Sequence, residues 1–572
     1  MEPDSKPHGD THGDTHGELH PEPDPVVVDA VVVGAGFAGL YAIHKLRSLG
    51  LTVQAFEAAP EVGGTWWWNC YPGARCDVES LDYCYAFDED LLREWKWSER
   101  FPTQAEVLRY AQHVAERFDL RRHIRFETTV MAAHWDEHSR RWAFETDRGQ
   151  RVVARWFVSA VGAISAPNLP GIEGLDTFEG QVLMTSRWPR EGVELEGRRV
   201  AVIGTGSSGI QAIPVIAPVA GHLTVFQRTA NFSCPAGNGP IDPEREAAVR
   251  ADYPGYRQAC LRNGAGTPTL LLSQSAFDLG EEERLAAYEA KWARGGAGGV
   301  PAPFADTRTS LEANQTAADF VRGKIREIVA DPEVADSLCP KDHPISTKRI
   351  CLDTDYYATY NRPNVTLVDL RRTPIERVTP AGIATAEGEL PQDVIIFATG
   401  FDALTGALLR MDIRGVGGRS LAEAWEDGPQ TYLGLMVSGF PNMFTITGPL
   451  SPSVLINVMV AISHHVEWIG DCVSYMTEQG CDRIDATPGA QAEWTAEVQR
   501  IADGTLFPLA NSWYNGDNIP GKPRRFLAYI GGFPAYAGRC EQVVAAGYEG
   551  FELSASHPAP TVGRIAAPGP NR

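Results

Sequence analysis

The chain of 572 residues lacks several things that would otherwise direct its reading. No apolar run approaches the roughly 18 residues a membrane span needs, so no membrane role is expected. The N-terminus has neither the basic region nor the apolar core of a secretory signal. Cations are scarce beside anions: 51 Lys and Arg stand against 73 Asp and Glu, a formal net charge of −22. So acidic a chain lacks the positive footprint that phosphate backbones demand, which argues against nucleic acid as a partner. The ten cysteines are scattered and include no C-x-x-C pair. That pattern suits free thiols in a reducing compartment better than a disulfide framework. No cluster of His and Cys has metal-ligand spacing, and no metal is expected. These absences leave a cytoplasmic globular protein, and a composition 43% hydrophobic and 22% charged fits it.

Residues 1–25 place His8, His12, His16 and His20 four apart. Gly and Pro break any helix that could gather them on a metal, so a solvated, disordered tail is expected. A second loose tail, rich in Pro, Ala and Gly, is expected over 554–572. Between the tails, VVVDAVVVGAGFAGLYAIHKLRSLGLTVQAFEAA begins at Val26 and reads as strand, glycine turn, helix and strand. The same order recurs from Arg199 to Thr229. Two such βαβ units predict an α/β protein with two Rossmann-like dinucleotide-binding domains. Between Ile241 and Asp342 polar segments such as EEERLAAYEAKWAR predict a helical insertion in the second of them. The expected division is a first domain over 26–162, the second over 163–240 and 343–393 around the insertion at 241–342, and a return to the first over 394–553.

A lone GxGxxG is weak evidence, but both copies here follow a predicted strand and open a predicted helix. In Gly34, Gly36 and Gly39 the first glycine permits the tight turn. The second lets backbone approach a pyrophosphate, and the third lets helix pack on strand. The pyrophosphate then meets the free N–H groups of a helix N-terminus. Glu57 stands 23 positions after Gly34, and Gln227 stands as far after Gly204, followed by Arg228. A carboxylate there accepts ribose hydroxyls and repels a 2′-phosphate, whereas a neutral residue followed by arginine favours that phosphate. The first unit is therefore expected to hold FAD and the second NADPH.

Electrons then pass from nicotinamide to flavin and onward. Cys70 and Cys76 are the thiols nearest the first unit, but their spacing matches neither C-x-x-C nor C-x₄-C, and they read as buried free cysteines. With no thiol relay, molecular oxygen is the natural acceptor.

Six segments then carry a resemblance. GGTWWWNCYPGARCDVES (63–80), SAVGAISAPNLPG (159–171), GTGSSGIQ (204–211), KRICLDTDYY (348–357), IIFATGFDALTG (395–406) and SWYNGDNIPGKP (512–523) resemble the Baeyer–Villiger monooxygenases, and more broadly the class B flavin monooxygenases. The resemblance runs from about Val26 to Glu552 with the motifs in the family's order. One segment departs from it. The family's F-x-G-x-x-x-H-x-x-x-W-P is here FEGQVLMTSRWP, matching at Phe178, Gly180, Trp188 and Pro189, with Met184 in place of histidine. That histidine is read in the family as supporting motion between the two domains. Methionine cannot hydrogen-bond as imidazole does, which puts coupling of the two half-reactions in question.

The resemblance implies that reduced flavin traps O2 as a C4a-peroxide, which attacks a ketone carbonyl to form a Criegee-type adduct that gives an ester or lactone. It implies Arg349 as the catalytic cation and Asp77 as its orienting partner; an arginine supplies fixed charge without supplying a proton. For FAD it implies contacts at Gly34, Gly36, Phe37, Gly39, Glu57, Gly64, Thr65, Trp66, Asp77, Tyr83 and Val130. For NADP it implies Arg75, Gly204, Thr205, Gly206, Ser207, Ser208, Gly209, Gln211, Arg228, Thr229, Lys348, Arg349 and Trp513. Similar family members of this length often accept bulky or polycyclic ketones, so a bulky cyclic ketone is the expected partner, with GPLSPSVLINVMV (448–460) and the insertion shaping its pocket. A monomer or weak homo-oligomer is expected. Two readings remain beside it: a class B enzyme that oxidises sulfur or nitrogen, and a decayed flavin-binding protein of which Met184 is the scar.

Overall fold

The computed structural model describes residues 25–268, 273–296 and 298–556. The expected tails, with His8, His12, His16 and His20, fall almost wholly outside those residues. Among the described residues no helix is long and apolar enough to cross a membrane.

Val26–Val33 is an inner strand of an eight-stranded sheet. Val26 and Val27 are exposed at its edge, while Ala30, Val31 and Val32 are fully buried, as a β-branched run covered on both faces should be. It pairs in parallel with Val53–Phe56 and with Arg151–Ser159. Ile124–Arg125 closes the far edge beyond Val53–Phe56. On the other side Val130–Asp136, Arg141–Thr146 and Arg151–Ser159 form an antiparallel meander, which Asp412–Arg414 extends. Met443–Thr445 pairs with Phe157–Ser159, beyond the point where the meander partner ends.

The second sheet is wholly parallel, in the order Val365–Asp369, His222–Gln227, Arg199–Ile203, Val394–Phe397, Gln181–Met184. This corrects the expected return to the first domain at residue 394. Val394–Phe397 lies between Arg199–Ile203 and Gln181–Met184, and the chain rejoins the first sheet only at Asp412–Arg414. An apolar run followed by a glycine turn fits either sheet, so local pattern could not assign it; only pairing does.

The insertion is helical, with helices Pro243–Ala251, Tyr253–Arg262, Glu281–Arg294, Leu311–Ile328 and Pro332–Leu338. Glu281–Glu283 open the third of these helices, and Lys291 and Arg294 close it, each sign at the end its dipole favours. The insertion divides between two cores. Tyr288, Val321, Ile325 and Leu338 belong to the core of the second sheet, whereas Val249, Tyr253 and Tyr256 pack with the first. Helix Val458–Glu478 lies along Phe37–Ser48, pinned by the Lys45–Glu467 ion pair. Both glycine turns open onto one cleft.

Candidate active site

The two glycine turns have the same build. Gly34 and Gly204 have φ of 103° and 111°, a backbone that side chains disfavour. Each donates its N–H to the second strand of its unit, to Phe56 O at 2.8 Å and Phe226 O at 3.0 Å. A Cβ on Gly34 would lie 2.5 Å from Ala160 O, and one on Gly204 would lie 2.5 Å from Ala398 O. A Cβ on Gly39 would strike Gly34 O at 1.8 Å, and one on Gly209 would strike Gly204 O at 2.2 Å. Gly39 and Gly209 therefore serve helix packing and do not line the cleft. Gly36 and Gly206 do line it, as N-caps of helices Phe37–Ser48 and Ser207–Ile216 without side-chain caps. Their free N–H groups suit a diphosphate.

The units part at the end of the second strand. The pairs Val33–Phe56 and Ile203–Phe226 put Glu57 and Gln227 at the same place. Glu57 lines the cleft, buried, and accepts the Ala35 N–H at 2.7 Å and the Ala59 N–H at 2.8 Å. Burial pushes its carboxyl up, and those backbone donors only partly offset the shift. Gln227 faces away: its amide donates to Ser337 O at 2.7 Å, on helix Pro332–Leu338, and its Oε1 has no partner. Gln227 thus lies out of reach of the cleft, and only its lack of charge matches the contrast drawn with Glu57. The residues that line the cleft there are Arg228 and Thr229, with Lys348 beside them. Among the described residues neither Arg228 nor Lys348 forms an ion pair. Burial, with the charges of Arg228 and Arg371, holds the Lys348 ammonium below its ordinary value despite Asp342.

One cavity of about 1230 Å³ joins the two turns. It gathers every expected contact except Gly39 and Gly209: Phe37, Gly64, Thr65, Trp66, Tyr83 and Val130 on the first side, and Thr205, Ser207, Ser208 and Trp513 on the second. Trp66 donates its indole N–H to Tyr83 Oη at 3.0 Å, which fixes that wall. The loop at Tyr71–Arg75 docks on the opposite unit. Gln211 accepts from Tyr71 Oη at 2.8 Å and from the Arg75 N–H at 3.3 Å, and donates to Arg75 O at 3.1 Å. Arg75 is itself paired with Glu99 and donates to Phe101 O at 2.5 Å. Trp513 packs its ring 4.2 Å from that of Tyr514, on a loop tied down by Asn518 to Phe401 O and Lys522 to Asp402.

Arg349 and Asp77 meet at the centre, although 272 positions apart. Nε donates to Oδ2 at 2.7 Å and Nη2 to Oδ1 at 2.8 Å, a two-pronged pair. Nη1 donates to Val454 O at 3.1 Å. Burial alone would raise the Asp77 carboxyl, but the Arg349 charge and its hydrogen bonds hold it below the usual carboxylate range; Asp77 raises Arg349 in turn. Both line the cavity, with 34% of the arginine side chain and 25% of the aspartate accessible. The cation is therefore permanent and aimed. All ten cysteines are free; Cys76 is buried as expected, Cys70 only half-buried, and burial pushes both thiols up.

Sequence reasoning missed Arg187. It lines the cavity, stacks 4.1 Å over the Trp68 ring, and lies in the same FEGQVLMTSRWP segment as Met184. Arg190 stacks 3.9 Å over Trp67, and Cys70 reaches Trp188 O. The triple tryptophan and the two nearby arginines were the available signal, but nothing local says that they meet. Met184 ends strand Gln181–Met184 opposite Phe397 and packs in an apolar cluster with Phe178, Ile203 and Phe226. Its surroundings are those a thioether prefers.

Comparison with known proteins agrees with this geometry. Residues 28–232 match the flavin-binding monooxygenase-like family. A Baeyer–Villiger monooxygenase of Pseudooceanicola batsensis is 45% identical over 91% of this chain and 95% of its own. A cyclohexanone 1,2-monooxygenase of an Acinetobacter species is 42% identical over 92% of this chain and 96% of its own. Among solved structures, an oxidised steroid monooxygenase bound to NADP is 50% identical with a TM-score of 0.89, covering 92% of this chain and all of that one. A closed cyclohexanone monooxygenase has a TM-score of 0.91 at 43% identity, covering 93% of this chain and all of that one. With the paired glycine turns and one cavity between them, these similarities place the chain in the Baeyer–Villiger monooxygenases, FAD-containing and NADPH-dependent flavoenzymes.

Proposed function

We propose that the protein uses NADPH and O2 to insert one oxygen atom beside the carbonyl of a bulky cyclic ketone, giving an ester or lactone. The observation that carries this reading is the Arg349–Asp77 pair, lodged in the cavity between the two glycine turns. The residues fit the coenzymes: a buried carboxylate at the first unit and, at the second, cations without an ion-pair partner among the described residues. Gly34, Gly36, Glu57 and the Gly64–Trp66 wall would hold FAD, and Gly204–Ser208, Arg228, Thr229, Lys348 and Trp513 would hold NADP. When bound, NADPH supplies the hydride and FAD the activation of O2.

The chain's own groups do the rest. Arg349 holds a fixed positive charge beside the reacting carbonyl and steadies the negative charge that builds on the substrate oxygen. It cannot release its proton near neutral pH, so it does not quench that charge. Asp77 and Val454 O fix the plane of the guanidinium. Val454, Ile456, Val458 and Ile462 give the cavity an aliphatic wall that excludes water and accepts a hydrocarbon ring. The 50% identity to a steroid monooxygenase supports a polycyclic substrate.

The test is a panel running from small cycloalkanones to steroid-sized ketones, with product identification. Ester or lactone from the larger members is expected. A second reading rests on one relative, a phenazine N-monooxygenase of Lysobacter antibioticus, 42% identical over 93% of this chain. A thioether and an N-heterocycle belong in the panel for that reason; oxidation of these without any ketone product would establish that reading instead.

A further inference from the structure

The loop Thr447–Val454 meets the cavity at its two ends, Thr447 and Val454, and its last carbonyl steadies Arg349. Three of its residues, Thr447, Leu450 and Ser453, have left-handed backbones, with φ of 52°, 67° and 40°. Leu433, in a neighbouring turn, has φ of 59°. None of the four is glycine, and threonine is β-branched, so the surroundings must impose this shape.

A single buried chain of hydrogen bonds links Thr447 to Leu433. His465, fully buried on helix Val458–Glu478, accepts the Thr447 N–H at Nδ1, 2.9 Å away. Its Nε2 stands 2.8 Å from Tyr536 Oη, and the Tyr536 hydroxyl donates to Leu433 O at 2.6 Å. The one hydroxyl proton of Tyr536 is thus engaged at Leu433, so Oη accepts and His465 Nε2 carries the ring proton. Nδ1 carries none. The chain permits one neutral tautomer, and burial, with His464 beside it, holds the imidazole well below its ordinary value. His465 does not line the cavity and touches none of the groups assigned to chemistry.

We propose that His465 is a positioning residue for the reaction: it ties left-handed Thr447 to left-handed Leu433 through Tyr536, and so fixes the wall from which Val454 aligns Arg349. The inference rests on the proposed role of Arg349, and its test separates the two.

Full-length, FAD-loaded His465→Leu, His465→Gln and Tyr536→Phe are compared with the parent by two readouts. One is amide hydrogen exchange in peptides covering residues 430–436 and 445–456, which needs no turnover. The other is ester formed per NADPH consumed. Removal of a buried hydrogen-bonding group should speed exchange of the loop by about tenfold in His465→Leu. Ester per NADPH should fall severalfold with it, the balance appearing as hydrogen peroxide. A glutamine amide offers an acceptor and a donor spaced much as the two ring nitrogens are, so His465→Gln should restore both readouts to within about twofold. Tyr536→Phe should fall between. Parental loop exchange in His465→Leu overturns the proposal, as does His465→Gln as impaired as leucine, or a general loss of stability with coupling unchanged. If His465→Leu does not fold, Tyr536→Phe decides, and unchanged loop exchange there overturns the proposal. Should Arg349→Ala keep full ester formation, the role of Arg349 falls, while loop exchange still judges His465.

Discussion

The two nucleotide units use one backbone twice. Gly34 and Gly204 share a left-handed turn, each closes on the second strand of its unit, and each abuts an alanine, Ala160 or Ala398, at the end of a third. They diverge after that second strand. In the first unit a buried Glu57 sits in the cavity on two backbone N–H groups; in the second the equivalent Gln227 turns into the insertion, and Arg228 takes the cavity. Backbone shape therefore suits the chemistry that two dinucleotides share, their diphosphates. What distinguishes one dinucleotide from the other is left to a few side chains beyond the turn. Between the units lies a charged pair that belongs to neither alone, Asp77 from the first and Arg349 from the second.

The sharpest way to break the symmetry is at the third glycine. A Cβ on Gly39 would strike Gly34 O at 1.8 Å, and neither is the end of a flexible side chain. Gly39→Ala should yield protein without FAD, measured by flavin absorbance per chain after purification. Gly209→Ala, at 2.2 Å, should keep FAD and lose reduction by NADPH. Loss of FAD from both would mean that the units are one cooperative site.

Next in size is the pair that spans the units. Losing a preorganised charge donor typically costs about 10²–10³ in rate. Arg349→Ala should bind FAD and be reduced by NADPH nearly as the parent, with ester formation down by that factor. Lysine should rescue poorly, being a point charge without the planar fork and able to give up a proton. Asp77→Ala should be milder, and the double variant far less impaired than the product of the singles, because the two act as one unit. Stopped-flow separation of flavin reduction from reoxidation, with ester quantified alongside, reads this directly. The pH sign follows from the lowered Asp77 carboxyl: the pair's contribution is present above the ordinary value of 3.8 and is lost only as pH falls through the lower, folded value. Above pH 3.8 the ester yield should therefore show no acid-side break that arises from Asp77.

Coenzyme choice comes third. A hydrogen bond to a charged group contributes about 1.5–3 kcal/mol, or roughly 10–150-fold in affinity. Arg228→Ala should raise KM for NADPH by about that factor and leave NADH nearly unchanged; equal loss for both would remove Arg228 from the 2′-phosphate. Gln227→Glu sharpens the contrast. Because Gln227 faces Ser337 and not the cavity, a carboxylate there should destabilise the fold without switching coenzyme.

Much of this was legible in the chain because it is local. The glycine turns, the strands around them and the helices that lie between 243 and 338 are written in contiguous periodicity and turn chemistry. So was the contrast of Glu57 with Arg228, since both follow their turns at nearly fixed spacing. What pattern could not give is pairing across distance. Val394–Phe397 reads as a buried strand but not as a member of the second sheet. Gln227 reads as neutral but not as turned away. Arg187 over Trp68 and Arg190 over Trp67 join segments more than 100 positions apart, and no spacing rule reaches that far. Met184 is the clearest case: read alone it is a missing histidine, yet in place it is one member of an apolar cluster.

That cluster sets the smallest effect. Met184 sits at the end of the second sheet's edge strand, paired with Phe397 and packed near Phe178, Ile203 and Phe226. It does not line the cavity. A histidine there would bring two ring nitrogens into apolar surroundings, where an unpaired polar group costs about 1–3 kcal/mol. For a chain of this size such a loss lowers Tm by only a few degrees, so Met184→His should fold and keep FAD. Because it stays out of the cavity lining, a change of no more than about threefold in ester per NADPH is expected, against the roughly 10²–10³ expected at Arg349. The remaining handle is the neighbouring contact of Arg187 with Trp68, three residues on, which joins this segment to the first unit. If Met184 acts only through that segment's packing, Arg187→Lys should change coupling more than Met184→His does, because it alone breaks the stacked guanidinium. The paired measurement is product per NADPH in both variants. A large gain of activity in Met184→His would show instead that the natural residue disables the enzyme, and the symmetry of the two units would then describe a fold that has outlived its reaction.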